Sequence, residues 1–80
     1  MEIQLIKGNF KRKEGLSLII SLLELKIKFH ENKISQESSE EDIKYRESKI
    51  KLLQSEISKL KNIQHEADDF INIESTIKIN

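Results

Sequence analysis

Polar and apolar residues alternate at the start of the chain. Met1, Ile3 and Leu5 would share one side of an extended segment, which predicts a strand over about residues 2–7. Gly8-Asn9 reads as a turn, with Asn9 or Asn9-Phe10 leading into a helix. From there the period lengthens. Leu16, Ile20, Leu23, Ile27, His30 and Ile34 recur at the alternating four- and three-residue spacing of a seam that packs on another helix, so a helix is expected over about 11–33. A second row, Leu18, Leu22, Leu25 and Phe29, repeats two residues out of phase, which implies cover on more than one side. Gly15 sits early in this helix, where it either marks a frayed first turn or admits a close neighbour.

Residues 35–42 break the pattern. Ser38 and Glu41 have capping-box spacing, and Glu40, Glu41 and Asp42 suit the positive end of a helix beginning near Ser38 or Ser39. Ile43, Arg46, Ile50, Leu53, Ile57, Leu60, Gln64 and Ala67 then repeat at seam spacing, predicting a second helix over about 39–67. So short a connection between two long helices forces an antiparallel hairpin. After Asp68-Asp69 the period drops to two. Ile71, Ile73, Ser75, Ile77 and Ile79 face one way and Asn72, Glu74, Thr76 and Lys78 the other, a strand over about 70–79. The expected class is α+β, one domain ordered strand–helix–helix–strand, its strands side by side and antiparallel.

At 80 residues the chain is near the size where one core barely suffices. With no cysteine, no disulfide can support it, which leaves burial against a second copy as one remedy. The absence of proline suits long helices. Fourteen basic and fourteen acidic residues cancel, which argues against a dedicated binder of polyanions. Lys11-Arg12-Lys13 followed by Leu16–Leu23 superficially resembles a secretion signal, but Glu24 and Lys26 follow at once and no cleavage site does. The apolar run is also well short of the ~20 residues that span a bilayer, so no membrane is expected and the cytoplasm is the default.

Three stretches carry a resemblance. Ile3-Gln4-Leu5-Ile6-Lys7-Gly8-Asn9-Phe10, Lys26-Ile27-Lys28-Phe29-His30 and Ser75-Thr76-Ile77-Lys78-Ile79 resemble small uncharacterised bacterial proteins of the same strand–hairpin–strand layout. The resemblance implies the layout and no activity.

Nothing in the chain has the form of a catalytic motif: there is no cysteine, no Gly-x-Ser-x-Gly turn and no glycine-rich phosphate loop, so neither an enzyme nor a cofactor is expected. His30, in a seam position near Tyr45 and Arg46 across the hairpin, reads as a pH-sensitive or anion-binding layer or, more plainly, as a polar layer that sets register. His65 precedes Asp68 and Asp69 by one helical turn and lies at the opposite end from His30, so no shared metal site is expected. Lys11, Arg12 and Lys13 put cations at a helix N-terminus, against the macrodipole, and so suit a phosphate or nucleic-acid backbone, with Lys44, Lys49 and Lys51 in support. The leading expectation is a non-enzymatic interaction module, a homodimer or a partner of another protein, whose interface draws on Leu18, Leu22, Leu25, Phe29, Ile73, Ile77 and Ile79. A small nucleic-acid-binding regulator using Lys11, Arg12 and Lys13 is the alternative.

Overall fold

A computed structural model describes residues 1–36 and 39–80. The order is β1 (Glu2–Lys11), α1 (Arg12–Ile34), α2 (Glu40–Gln64) and β2 (Phe70–Lys78), an α+β arrangement in which the strands form one two-stranded antiparallel sheet. The expected seam closes the helical hairpin. Leu16, Ile20 and His30 of α1 and Leu53 and Ile57 of α2 are buried, and Leu23, Ile27, Ile43, Ile50 and Leu60 are half-buried along the same line. The cap of α2 is Ser39, whose hydroxyl accepts from the Asp42 backbone N–H; the Ser38–Glu41 capping box lies outside the described residues. Glu40, Glu41 and Asp42 occupy the first turn of α2, where the helix dipole favours acids.

Four local expectations are corrected. Gly8-Asn9 is not a turn: β1 continues through it to Lys11, with Gly8 opposite Ile73 and Asn9 opposite Asn72. Ladder bonds to β2 outweigh local turn chemistry, and Gly8 takes a φ of 151° that side-chain-bearing residues rarely adopt. Nor does Asn9 cap α1. Lys11 holds that position without a side-chain bond, and the Arg12 N–H donates to the Asp69 carbonyl at 2.8 Å, so β1 passes into α1 with no loop.

Met1, Ile3 and Leu5 do not make one regular face either, because a bulge shifts the register between Gln4 and Ile6. Before it Ile3 pairs with Ile77, and beyond it Ile6, Gly8 and Phe10 pair with Ser75, Ile73 and Ile71, so the apolar residues of both strands stay on one face despite the change of parity. Finally, α2 stops at Gln64 rather than 67, and Ala67 is exposed. The Gln64 side-chain amide donates to the Lys13 carbonyl at 2.9 Å and to Ser17 Oγ at 2.6 Å, tying the end of α2 to the first turns of α1. The chain then needs residues 65–69 to reach the start of β2.

The ribbon seats on α1 at Gly15. A Cβ there would lie 2.9 Å from Phe10 Cβ, 2.9 Å from Ile73 Cδ1 and 3.2 Å from Ile71 Cδ1. Gly15 is thus the point of close approach between helix and sheet. Burial then fades along the ribbon. Ile6 is buried and Ile73 half-buried, while Ile3, Leu5, Ile77 and Ile79 are exposed. The molecule is correspondingly flat and open, 46 × 33 × 13 Å. Its radius of gyration is 15.3 Å, against about 12 Å for a compact chain of this length.

Candidate interaction surface

The sequence marked two apolar sets as an interface, and both lie largely in solvent. On α1, Leu25 is 64% and Phe29 53% exposed, Leu18 is exposed as well, and Leu22 is half-buried. On the ribbon, Ile77 and Ile79 are exposed and Ile73 is half-buried beside Gly15. The hairpin seam consumes only one face of α1, and the ribbon touches α1 early in the helix, so neither element covers the rest of the second row. Sequence reasoning omitted Met1, Ile3, Leu5, Leu52 and Phe70, all exposed. The alternation of β1 held the signal for Ile3, but the pairing register that brings it beside Ile77 was not readable from it.

The edges of the ribbon carry a second kind of unsatisfied surface. Met1 and Ile79 exchange both backbone bonds, at 2.9 and 2.8 Å, and the Arg12 N–H reaches the Asp69 carbonyl at the other end. Antiparallel pairs alternate between bonded and non-bonded types. The residues between these bonded pairs therefore direct their N–H and C=O groups outward: Glu2, Gln4, Lys7, Asn9 and Lys11 on β1, and Asn72, Glu74, Thr76 and Lys78 on β2. The two edges differ. β1 is bulged between Gln4 and Ile6 and carries Lys7 and Lys11; β2 runs nine residues with no irregularity. Bulges and lysines are the devices that protect an edge from pairing, and β2 has only Lys78.

The other candidate residues are engaged within the chain. Arg12 Nε and Nη2 donate to the two carboxylate oxygens of Asp69 at 2.6 and 2.9 Å, a bidentate clamp that supplements the backbone bond between the same residues. The side-chain bonds from Arg12, first, and the guanidinium charge hold the Asp69 carboxyl below its ordinary range. Arg12 is therefore already committed, while Lys11 and Lys13 stay exposed. Arg12→Gln and Asp69→Asn should each lower the melting temperature at neutral pH. The double variant should lose little more than either alone, which a thermal double-mutant cycle reads directly. His65 caps α2 and is exposed; of its two expected partners, Asp68 and Asp69, the latter faces Arg12 instead. Among the described residues no cluster of three His, Cys, Asp or Glu side chains is placed to hold a metal ion, and no helix is long and apolar enough to cross a membrane.

His30 occupies a polar layer of the seam. Arg46 Nη1 lies 3.0 Å from its Nδ1; since guanidinium only donates, Nδ1 accepts and the proton sits on Nε2. The Phe29 ring stands edge-on to the imidazole at 5.7 Å. Desolvation, then the charges of Arg46, Lys26 and Lys49, push the His30 pKa down, so the folded state holds it neutral. The unfolded chain binds that proton near the ordinary pKa of 6.5. The His30 contribution to stability is thus complete above that value and is lost as pH falls below it. Urea midpoints should drop between pH 7.5 and pH 5.5, and His30→Gln should flatten that slope. A parent with no slope in this window would show that His30 charges freely in the fold.

Compared with family models, curated proteins and solved structures, the chain matches none.

Proposed function

We propose that the chain is a non-enzymatic protein–protein interaction module that associates with a second copy of itself. Surface area carries the reading. The chain exposes 6292 Å², whereas a compact monomer of 9.4 kDa exposes about 5,000 Å². The difference, about 1,300 Å², is more than the roughly 800 Å² that each partner contributes to a standard interface. Much of this surface is apolar, on the outer row of α1 and the far half of the ribbon. The regular β2 edge supports association through backbone bonds as well.

A cytoplasmic setting belongs to the same proposal, supported by a chain with no cysteine to oxidise. A nucleic-acid role for the start of α1 now rests on Lys11 and Lys13, because Arg12 is clamped by Asp69. Thermal unfolding at rising protein concentration tests the proposal. The melting temperature should climb with concentration, as it must when association stabilises the fold. A constant melting temperature would count against self-association, and salt-sensitive retention of RNA or DNA would favour the alternative.

A further inference from the structure

We propose that two copies pair through the outer edge of β2, antiparallel about a two-fold axis at Thr76, to form a four-stranded sheet ordered β1-β2-β2-β1. The inference rests on self-association and goes further by naming the edge and the register. The choice of edge follows from regularity and charge: β1 is bulged between Gln4 and Ile6 and lined by Lys7 and Lys11, while β2 presents Asn72, Glu74, Thr76 and Lys78 with their backbone groups outward. Bonded pairs across the new edge must join outward-facing residues to outward-facing residues, so only alternate registers are open to it.

Charge selects among these registers. Within the ribbon Lys7 stands opposite Glu74, and Glu2 stands opposite Lys78 with Nζ and Oε1 3.8 Å apart. Placing Thr76 on the axis sets Glu74 of each copy opposite Lys78 of the other. Each of two cross-sheet rows then reads Lys7, Glu74, Lys78, Glu2 across the four strands, opposite charges adjacent at every step. Opposite charges directly across a ladder stabilise it, and like charges oppose it. Moving the axis to Glu74 would put the two Glu74 carboxylates face to face. Placing it between these positions, at Ser75, would set Lys78 against Asn72 and leave both rows without their central ion pair.

The same register disposes of apolar surface. On the other face Ile73 of one copy meets Ile79 of the other, and Ser75 meets Ile77. The antiparallel arrangement lays the exposed far half of each ribbon beside the half of its partner that is seated on α1 at Gly15. The residues left in water by one chain are therefore brought to the apolar shoulder of the next.

The chain has no cysteine, so single cysteines report the pairing without background. Bonded partners in an antiparallel pair have Cα atoms about 5.5 Å apart, within reach of a disulfide. Thr76→Cys should therefore oxidise to a covalent dimer at least about tenfold faster than Glu74→Cys, whose own copy would lie four residues along the ladder at roughly 13 Å. It should likewise outpace Lys7→Cys on the opposite edge. Fastest cross-linking at Glu74 would overturn the register, and fastest cross-linking at Lys7 would overturn the choice of edge. A second variant checks the result independently. The Thr76 N–H points away from β1, so Thr76→Pro removes no bond inside the ribbon but blocks the new edge. Its mass by sedimentation should be that of one chain, with helical circular dichroism unchanged. A Thr76→Pro chain that stayed dimeric would overturn edge pairing while leaving self-association intact. A parent that is monomeric would remove both.

Discussion

A Gly15→Val chain should be less stable than the parent by about 3 kcal/mol, with loss of the contact between ribbon and hairpin. At Gly15 even a Cβ would meet Phe10 Cβ at 2.9 Å, and that atom cannot swing aside as the tips of Ile71 and Ile73 can. Helix propensity acts in the opposite direction, since replacing glycine in a helix with alanine gains about 1 kcal/mol. For Gly15→Ala, overpacking of about 1–3 kcal/mol should meet or exceed that gain, leaving a net loss of up to about 2 kcal/mol. Valine adds two further methyls and a poorer propensity, so its loss is larger. Urea denaturation followed by circular dichroism measures both variants. A Gly15→Ala chain stabilised by the full propensity gain would mean that the ribbon does not seat on α1 at this point.

The second large effect separates the seam from the outer row. Leu53→Ala should cost about 2–5 kcal/mol, the range for truncating a buried leucine. Leu53 is 7% exposed and lies at the centre of the helix contact. Small domains have only about 5–15 kcal/mol in total, so this change alone should bring the chain close to unfolding. Leu25→Ala removes the same atoms from a side chain that is 64% exposed, and in an isolated chain its effect should stay within about 0.5 kcal/mol. Paired denaturation curves at low protein concentration decide the matter. Equal losses from the two variants would mean that the helix phase is misplaced. A Leu25→Ala loss that grows with concentration would instead place the outer row inside the dimer.

The hairpin was legible because its signal is redundant. Each helix repeats its seam several times, and a break between them with Ser39 and three acids leaves little choice of topology. β2 was equally clear, since isoleucine alternates with polar residues over most of its length. What could not be read depended on partners distant in sequence. Gly8-Asn9 has turn composition, and only pairing with Asn72 and Ile73 turns it into strand. The bulge at Leu5 moves the apolar positions of β1 from odd (Ile3) to even (Ile6, Phe10), and only pairing with the unbroken alternation of β2 shows where the extra residue lies. Arg12 looked like one member of a basic cluster until the chain returned Asp69 to it, 57 residues later. The candidate interface was legible as apolar composition on α1 and β2. Its edge geometry was not, because the outward direction of Asn72, Glu74, Thr76 and Lys78 follows from which pairs are bonded.

Sedimentation equilibrium of the full chain, from low to high micromolar concentration at neutral pH, bears on self-association with the fewest assumptions. The expected result is a mass that rises with concentration to twice the 9.4 kDa of one chain and then levels off. A plateau at two copies is what a closed, isologous two-fold interface requires. A folded chain that sediments at 9.4 kDa across the whole range would contradict it, and the open surface of α1 and the ribbon would then belong to a different protein.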